Sequence, residues 1–499
     1  MSKSCFGSNA CVMSVWFVLA TSITATCACA QQMTAAGPAA NNVLETRLDK
    51  LLDAIESVQQ QIAVSQKQID ALSLEVRDVR AQLGNGDGSA RAAELNQAIA
   101  QLQEESEIQQ AEIKQHDQSK VESGSKYPLK LSGMILFSSF MNSAAVNDVD
   151  QPVIALAQTA NATNRSFSAT MQQSIVGIEA TGPHIWGAHS GGDLSMDFFS
   201  EQSTSAYAPA EGIARLRTAH AYLDWRHASL TALLDTPVVS PLQPTSLAYQ
   251  AVAPLGWSGN LWVWTPQFIF KSDHPLGRGE AAIELGLAAP AVPGNLQSTT
   301  AQPTLASQEK RQLAYEARVS YTLGEGAHKS SLGASGYYNR QRYPYGQTVN
   351  AWAGTLDWHA SLGRRAELSG EFYRGRGIGG LGGGTYRDYY YDIDSRHIEG
   401  LDAVGGWAQI KLRATRTLEA NLAGGTGQSF ASELRSVDPN TIGDSYSTLA
   451  RNNTLFINVI YRPKAYLLFS AEYRDLLSAA ATNASNKAQV VGLAAGYMF

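Results

Sequence analysis

LAYEARVSYT, residues 313–322, is the stretch that decides the fold. Strongly apolar side chains fill every second position, and the positions between them include Glu316 and Arg318. Because successive side chains of a β-strand point to opposite faces, this stretch predicts a strand with one apolar and one water-facing side. LLFSAEYR, residues 467–474, repeats the pattern. Such strands form either a soluble sandwich, with the apolar side inward, or a membrane barrel, with that side toward lipid.

Two further features favour the barrel. Aromatic residues lie at the ends of the apolar faces, where a barrel places a girdle at each membrane surface. They are Tyr321, Tyr461, Tyr473, Tyr497 and Phe499. The connections also alternate between short turns, such as 463–465, and long segments, such as 237–259. This alternation is typical of barrels with short periplasmic turns and long outer loops.

Sixteen segments with this alternation follow one another from Tyr127 onward. They are 128–140, 169–181, 187–200, 213–225, 228–236, 260–271, 279–288, 312–322, 329–340, 349–360, 365–376, 403–413, 417–427, 448–462, 466–476 and 488–499. The sequence therefore predicts an all-β transmembrane barrel of about 16 antiparallel strands over 127–499, preceded by an α-helical coiled coil. The strand at 213–225 fits least well, because Arg215 and Arg217 fall out of phase with His220.

Residues 1–30 have the features of a secretory signal peptide. Lys3 precedes an apolar stretch at 11–23, and Ala28-Cys29-Ala30 is a small-x-small cleavage site. A retained membrane anchor is the alternative, but the apolar stretch is short for one. All four cysteines lie in this segment, so we expect no disulfide and no cysteine metal site in the mature chain. Residues 31–42 are expected to form a short linker.

Residues 43–83 carry a heptad repeat with one polar exception, Ser65. The apolar a and d positions are Leu44, Leu48, Leu51, Ile55, Val58, Ile62, Ile69, Leu72, Val76, Val79 and Leu83. A seam with a period of 3.5 residues requires partner helices, which predicts an intermolecular coiled-coil stalk. The heptads leave dimer and trimer open, and a single amphipathic helix packed on its own chain is the alternative. Residues 84–126 would form a glycine-rich break, a second short helix and a linker.

Composition and motifs exclude several classes of function. The net charge of −6 becomes −7 when Lys3 leaves with the signal, because it is the only charge there, and this acidic balance argues against nucleic acid. Gly375, Gly377 and Gly380 match a dinucleotide fingerprint in spacing, but no helical pattern follows them. The histidines are scattered, and we predict no catalytic site, no metal and no cofactor. A barrel enzyme is the least favoured alternative.

Short motifs add a family resemblance. The long third outer connection, 237–259, and the terminal alternation ending in Tyr497 and Phe499 resemble the trimeric Gram-negative porins. LRTA at 216–219, WTPQ at 264–267 and GEFYRG at 370–375, with a coiled coil ahead of 16 strands, look like the DcaP-like porins. The resemblance implies a trimer, a third long connection folded into the lumen, and a C-terminal barrel-assembly signal.

The predicted function is an outer-membrane porin of a Gram-negative bacterium, with the coiled coil in the periplasm. Small hydrophilic solutes would diffuse passively through a water-filled channel. The candidate pore-lining residues are Asp235, Glu280, Glu284, Glu316, Arg318, Glu367, Glu371, Arg374, Glu472 and Arg474. Expected partners are further copies of the chain, outer-membrane lipid and the barrel-assembly machinery, with the cell wall as a further candidate for the stalk. An envelope tether or adhesin whose barrel is mainly an anchor is the alternative.

Overall fold

The computed structural model describes residues 128–158, 164–200, 212–290, 312–324, 328–343, 347–392, 397–434, 449–482 and 484–499. The predicted signal peptide, linkers and coiled-coil seam lie outside the described residues. Among the described residues, no helix is both long and apolar enough to cross a membrane.

The described chain is built almost entirely from antiparallel strands. They are β1 (Leu129–Asn142), β2 (Ser166–Thr170), β3 (Ile175–Ile185), β4 (Ala188–Asp197), β5 (Arg215–Trp225), β6 (Ala228–Asp235), β7 (Thr265–Leu276), β8 (Gly279–Ala288), β9 (Ala314–Leu323), β10 (Ser330–Arg342), β11 (Thr348–Leu362), β12 (Ala366–Arg376), β13 (Tyr389–Asp392), β14 (His397–Gly400), β15 (Asp402–Arg413), β16 (Leu418–Ser429), β17 (Leu449–Lys464), β18 (Leu467–Ala480) and β19 (Ser485–Met498). β13 and β14 form a separate hairpin, and the others form one sheet.

The sheet closes on itself. β1 pairs with β19, with Met134 opposite Met498 and Asn142 opposite Val490. β2 and β3 both pair with β1 and are separated by residues 171–174, so together they occupy one strand position of the barrel, which is called a stave here. The remaining strands pair in chain order, with β12 joined directly to β15. The ring therefore has sixteen staves, which confirms the predicted barrel and its strand number.

Side chains are distributed over the two faces of the ring in the way that lipid requires. On β9, the inward Glu316 is 4% exposed, whereas the outward Val319 is 58% exposed. Outward positions on other strands also carry large exposed apolar side chains, among them Phe372 and Phe469. A soluble sandwich would bury these side chains. An apolar outer belt around a polar interior is the arrangement of a membrane barrel.

A β-bulge explains the poor phase of the fifth strand. Ser195 of β4 faces Thr218 of β5, but the next residue, Met196, faces Leu216, so Arg217 is an extra residue. A bulge shifts the alternation of side chains by one position. It thereby brings Arg215 and Arg217 to the same inner face as the residues that follow the bulge.

The sixth predicted segment was misplaced. Residues 260–271 were predicted, whereas β7 spans Thr265–Leu276. The apolar run Leu261-Trp262-Val263-Trp264 resembles a strand locally, but Asn260 and Leu261 are 1% exposed and lie inside the ring. Their burial comes from packing within the lumen, which alternation along the chain does not report.

Apolar packing inside the ring comes from connections that fold inward. Leu247, Ala248 and Tyr249 pack against Leu136 and Phe140 of β1. The rings of Phe140 and Tyr249 meet edge to face, with their centroids 5.4 Å apart. The inner face of β1 therefore carries apolar side chains as well as the polar Ser138 and Asn142, and the lumen contains a small apolar core of its own.

The glycine-rich stretch after β12 forms two short 3-10 turns, Gly379–Leu381 and Gly384–Tyr386. A dinucleotide site needs a helix whose N-terminus holds the pyrophosphate, and these three-residue turns do not provide one. The stretch leads into the β13–β14 hairpin, and a single helical turn, Ala431–Leu434, follows β16.

The C-terminus completes the closure of the ring. The backbone N–H of Phe499 donates to the carbonyl of Gly133 at 3.1 Å, and the N–H of Gly133 donates to the carbonyl of Phe499 at 3.0 Å. The side chains of Tyr461, Tyr473, Tyr497 and Phe499 are all exposed on the outside. The role of Tyr497 and Phe499 as an assembly signal stays a prediction.

Candidate functional site: the barrel lumen

Residues 236–264, which join β6 to β7, run through the lumen and are called the inserted segment here. Several of its polar side chains are enclosed, and Ser240, Ser258 and Asn260 are each 1% exposed. A loop can be buried to this extent only if its backbone and polar groups find hydrogen-bond partners. Those partners come from the inner wall of the ring.

Glu371 of β12 is the most heavily used partner. Its Oε2 accepts hydrogen bonds from Ser240 Oγ at 2.5 Å, Asn260 Nδ2 at 3.1 Å and Trp407 Nε1 at 3.2 Å. Its Oε1 accepts one from the backbone N–H of Leu242 at 2.7 Å. One carboxylate therefore binds both ends of the inserted segment, and hydrogen bonds to a charged acceptor are the stronger kind.

Glu472 and Arg474 of β18 form a second anchor. Glu472 Oε2 accepts a hydrogen bond from Ser246 Oγ at 2.6 Å, and its Oε1 pairs with Arg474 at 2.7 Å. Arg474 also donates to the carbonyl of Pro254 at 2.6 Å and lies 3.6 Å over the ring of Tyr249. Both charged groups of this buried pair therefore have hydrogen-bond partners, which compensate for their removal from water.

Smaller contacts complete the attachment. Glu316 of β9 accepts a hydrogen bond from the N–H of Val238 at 2.8 Å, and Gln409 of β15 accepts one from the N–H of Thr245 at 2.6 Å. Ser258 is 2.8 Å from the hydroxyl of Thr454 on β17. The anchors thus spread over the wall from β9 to β18.

The opposite wall, from β4 to β7, carries a different set of charges. Arg215 pairs with Asp197 at 2.7 Å, and Arg217 lies 3.6 Å from the same carboxylate. Both guanidinium groups lie over the ring of Trp264, at 5.0 and 5.2 Å from its centroid. Stacking on an aromatic face holds the two arginines in place while leaving their charge in the lumen.

His220 follows these arginines on β5 and bridges two carboxylates. Its Nδ1 is 2.7 Å from Asp193, and its Nε2 is 3.0 Å from Asp235. With a carboxylate oxygen at each ring nitrogen, both nitrogens are placed to donate. The imidazole therefore ties β4, β5 and β6 together at the root of the inserted segment.

A cavity of about 350 Å³ lies between the inserted segment and this wall. Both sides contribute polar groups to it. Its lining includes Arg217, Thr218, Asp235, Gln243, Gln250, Trp262 and Trp264. The inserted segment is thus bonded to the wall on the β9–β18 side, and polar space remains on the β4–β7 side.

The predicted pore-lining residues have different environments in the structure. Glu316, Glu371, Glu472 and Arg474 bind the inserted segment and are buried, as described above. Arg318 is also buried, between Glu284 at 3.0 Å and Asp357 at 2.8 Å. Glu367 pairs with Arg413 at 2.7 Å and Glu280 is exposed. Asp235 alone among the candidates lines the cavity.

Arg374 is on the wrong face for a pore-lining residue. It is three positions from Glu371, and an odd separation on a regular strand places two side chains on opposite faces. Arg374 pairs with Asp402 at 3.0 Å and lies over the ring of Trp352, which is exposed on the outside. The prediction for this residue is therefore corrected.

Four lumen residues were missed by the sequence prediction, namely Arg217, His220, Trp262 and Trp264. The out-of-phase arginines were the available signal, since a phase break within a charged strand indicates a bulge. The tryptophans gave no such signal, because they lie in a run that resembles a strand. Among the described residues, no group of three or more histidine, cysteine or carboxylate side chains could hold a metal ion.

Comparison with known proteins gives the fold. No family model matches the sequence, and no curated protein matches it. The chain is similar to the crystal structure of the outer-membrane channel DcaP of Acinetobacter baumannii, with 17% identity and a TM-score of 0.57, covering 76% of this chain and 99% of that chain. The ring of sixteen staves is thus a fold that this chain shares with a known channel structure.

Two further similar structures are more distant. The anion-selective porin from Comamonas acidovorans is 10% identical with a TM-score of 0.45, covering 75% of this chain and 100% of that one. OmpF of Salmonella typhi, in complex with daunomycin, is 9% identical with a TM-score of 0.44, covering 75% and 98%.

Proposed function

We propose that this chain is an outer-membrane porin, a channel through which small hydrophilic solutes diffuse passively and without catalysis. The observation that carries the proposal is the distribution of side chains on a closed ring. Apolar side chains face outward and polar ones face inward, the reverse of a soluble protein. A closed barrel satisfies its backbone hydrogen bonds internally, so it can cross lipid while enclosing water.

The proposed path runs through the cavity beside the β4–β7 wall. Arg217 and Asp235 face it from the wall, and Gln243 and Gln250 face it from the inserted segment. A solute passing here exchanges hydration water for these groups, so width and polarity together act as the filter. Charges of both signs line this path.

An anchor for a tether or adhesin would need the ring alone. It would not need an inserted segment bonded to staves from β9 to β18 with polar space left beside it. This arrangement supports a channel over an anchor.

The proposal includes assembly and location. Residues 1–30 direct secretion, the heptads at 43–83 join several copies in the periplasm, and the assembled protein is a trimer. The apolar outer belt contacts outer-membrane lipid, and the C-terminal strand ending in Phe499 is recognised by the barrel-assembly machinery. The stalk reaches toward the cell wall.

Cysteine labelling tests the path. With the signal removed the chain has no cysteine, so one introduced thiol is unique. Thr218→Cys places it in the cavity, and Ala219→Cys places it on the outward face of the same strand. In planar bilayers, a methanethiosulfonate reagent should lower the conductance of the first variant and leave the second unchanged.

Two results would contradict the proposal. A parent protein that inserts into bilayers without conducting is not a channel. Equal insensitivity of both cysteine variants, with labelling confirmed by mass, would remove the cavity from the path. Deletion of 31–126 then separates the roles, because a tether loses envelope attachment, whereas a porin keeps its conductance.

A further inference from the structure

The outward face of the barrel carries a groove of about 710 Å³ between β7 and β11. Its walls are large apolar and aromatic side chains, namely Phe268, Phe270, Leu285, Leu287, Tyr315 and Tyr338. Phe268, Leu285 and Tyr315 are between 46% and 51% exposed, so they stand out from the sheet. A groove on this face opens toward lipid and not toward the lumen.

Small residues form the floor of the groove. Ala317 of β9 and Gly336 of β10 line the groove and are opposite each other, and Gly354 of β11 adjoins it as the partner of Gly336. A Cβ atom added at Gly336 or Gly354 would meet no atom within 4 Å. The depression is thus open space beyond the backbone, and the protein itself leaves it unfilled.

Positive charge lies at the outer end of the same strand. The outward positions of β10 are Leu332, Ala334, Gly336, Tyr338, Arg340 and Arg342, in that order toward the outer connection. Arg340 is four residues beyond Gly336, a distance of about 13 Å along a strand. Both arginines are exposed.

These two arginines differ from their neighbours on β12. Arg374 and Arg376 are already paired, with Asp402 at 3.0 Å and with Glu399 at 2.9 Å. No carboxylate among the described residues pairs with Arg340 or Arg342. Their charge is available to a ligand that approaches from the membrane side.

We propose that this face binds one lipid of the outer leaflet that has an anionic, phosphate-bearing head group. An acyl chain occupies the groove over Gly336 and Gly354, and the head group meets Arg340 and Arg342. The order of apolar floor, tyrosine and arginine along β10 matches the order of acyl chain, interface and phosphate in a membrane lipid. Guanidinium groups bind phosphate through paired hydrogen bonds. The proposal rests on the membrane placement of the barrel and is independent of permeation.

Charge complementarity favours a lipid over the other occupants. A free phosphate ion would use the arginines but leave the apolar groove empty. A second barrel would cover the groove but bring no negative charge from its apolar belt. Only a molecule with an apolar chain and an anionic head uses both features together.

The test is lipid retention by the purified full-length protein, measured by native mass spectrometry. The probes are phosphatidylglycerol and phosphatidylcholine with identical chains, and inorganic phosphate alone. We expect the parent to retain phosphatidylglycerol in preference to phosphatidylcholine. Two arginines near an anionic head group correspond to a preference of about 30-fold.

Three variants separate the parts of the site. Arg340→Gln with Arg342→Gln should abolish the head-group preference, and Arg278→Gln, at a periplasmic turn, is the matched charge control. Gly336→Leu should lower retention of both lipids by filling the groove, and Ala408→Leu adds the same bulk to the outward face elsewhere. If Gly336→Leu fails to fold, Gly354→Leu replaces it.

Four results would overturn the proposal. They are equal retention of both lipids by the parent, an unchanged preference in the double arginine variant, undiminished retention when the groove is filled, and displacement of the lipid by inorganic phosphate alone. Loss of oligomers in Gly336→Leu, with lipid retention unchanged, would assign the groove to a second copy of the chain.

Discussion

At the scale of single residues, the role of a charged side chain on the inner wall depends on its hydrogen-bond and ion-pair partners. Glu367 and Glu371 share one face of β12, four positions apart. Glu367 pairs with Arg413 near the periplasmic end, whereas Glu371 accepts four hydrogen bonds, three of them from the inserted segment. Equivalent positions on one strand therefore have different roles.

Glu371→Gln should loosen the inserted segment. The amide replaces one acceptor oxygen by a donor, which leaves buried donors of the segment unpaired at a cost of about 1–3 kcal/mol. We expect a larger and noisier single-channel conductance. Glu367→Gln is the control on the same face, and its conductance should match the parent. Identical traces from both variants would show that Glu371 does not hold the segment.

Asp388 makes the glycine-rich stretch after β12 sensitive to pH. It lies in the outer connection, 5% exposed, and accepts a hydrogen bond from the N–H of Gly380 at 3.1 Å. Burial raises the pKa of this carboxyl from 3.8 to about 7. The folded state therefore favours the protonated form. The stretch is most stable below about pH 4, where the carboxyl is protonated in both states. Its stability falls as the pH rises from there through about 7, where the folded state also ionises.

Hydrogen exchange at Gly380 measures this effect. Between pH 5 and pH 6 the opening free energy should fall by about 1 kcal/mol, after correction for the intrinsic exchange rate, because the open state ionises there while the closed state stays protonated. Asp388→Asn stays neutral and should remove the dependence. A pH-independent opening free energy in the parent would contradict the raised pKa.

At the scale of elements, the inserted segment occupies part of the lumen. It is hydrogen-bonded to the β9–β18 side, and a cavity of about 350 Å³ remains on the other side. A ring of sixteen strands is wide enough for an aqueous channel, so the selectivity of the proposed porin depends on the connections that fold into the ring, this segment among them.

Deleting 242–256 should raise the conductance and weaken discrimination between solutes, because the bare wall is a wide aqueous hole. A control variant keeps the length but replaces 242–256 by glycine and serine, which removes the anchoring side chains without shortening the chain. It should give an intermediate conductance. Liposome swelling with sugars of increasing size provides the second measurement. An unchanged size limit would remove the segment from the constriction.

The predicted stalk is a separate element with its own test. Six heptads at about 1.5 Å per residue would reach about 60 Å. Replacing Ile55, Ile62 and Ile69 by Asp should separate the helices and leave the barrels folded, because barrel hydrogen bonds are internal. A cysteine at Leu51 should give cross-linked oligomers in the parent and lose them in the triple variant. A parent that stays monomeric would mean that the repeat packs on its own chain.

At the scale of the whole molecule, the two faces of the ring meet different solvents. Val319→Arg should cost about 2–4 kcal/mol of folding free energy near the bilayer midplane, because arginine would be placed in lipid. Thr322→Arg, on the inner face of the same strand and opposite Glu280, should be tolerated. Denaturant unfolding in lipid vesicles checks both. Equal destabilisation by the two variants would mean that the outer belt does not face lipid.

The sequence by itself determined the ring. Each strand carries its alternation locally, as Glu316 and Val319 do on β9, and all sixteen predicted segments correspond to staves. Each strand of the ring pairs with the next one along the chain, and the closing pair of β1 and β19 is the exception. The same local signal failed at 260–264, where an apolar run serves packing inside the lumen.

Only the tertiary structure decided what the inner charges do. Leu242 and Glu371 are 129 positions apart, and Ser246 and Glu472 are 226 apart. Alternation predicted that these carboxylates face inward, but it carries no information on which connection folds across the ring to meet them. The bulge at Arg217 likewise depends on the register with β4. Side-chain direction is a property of one strand, whereas a contact across the lumen exists only after the ring has closed and brought distant segments together.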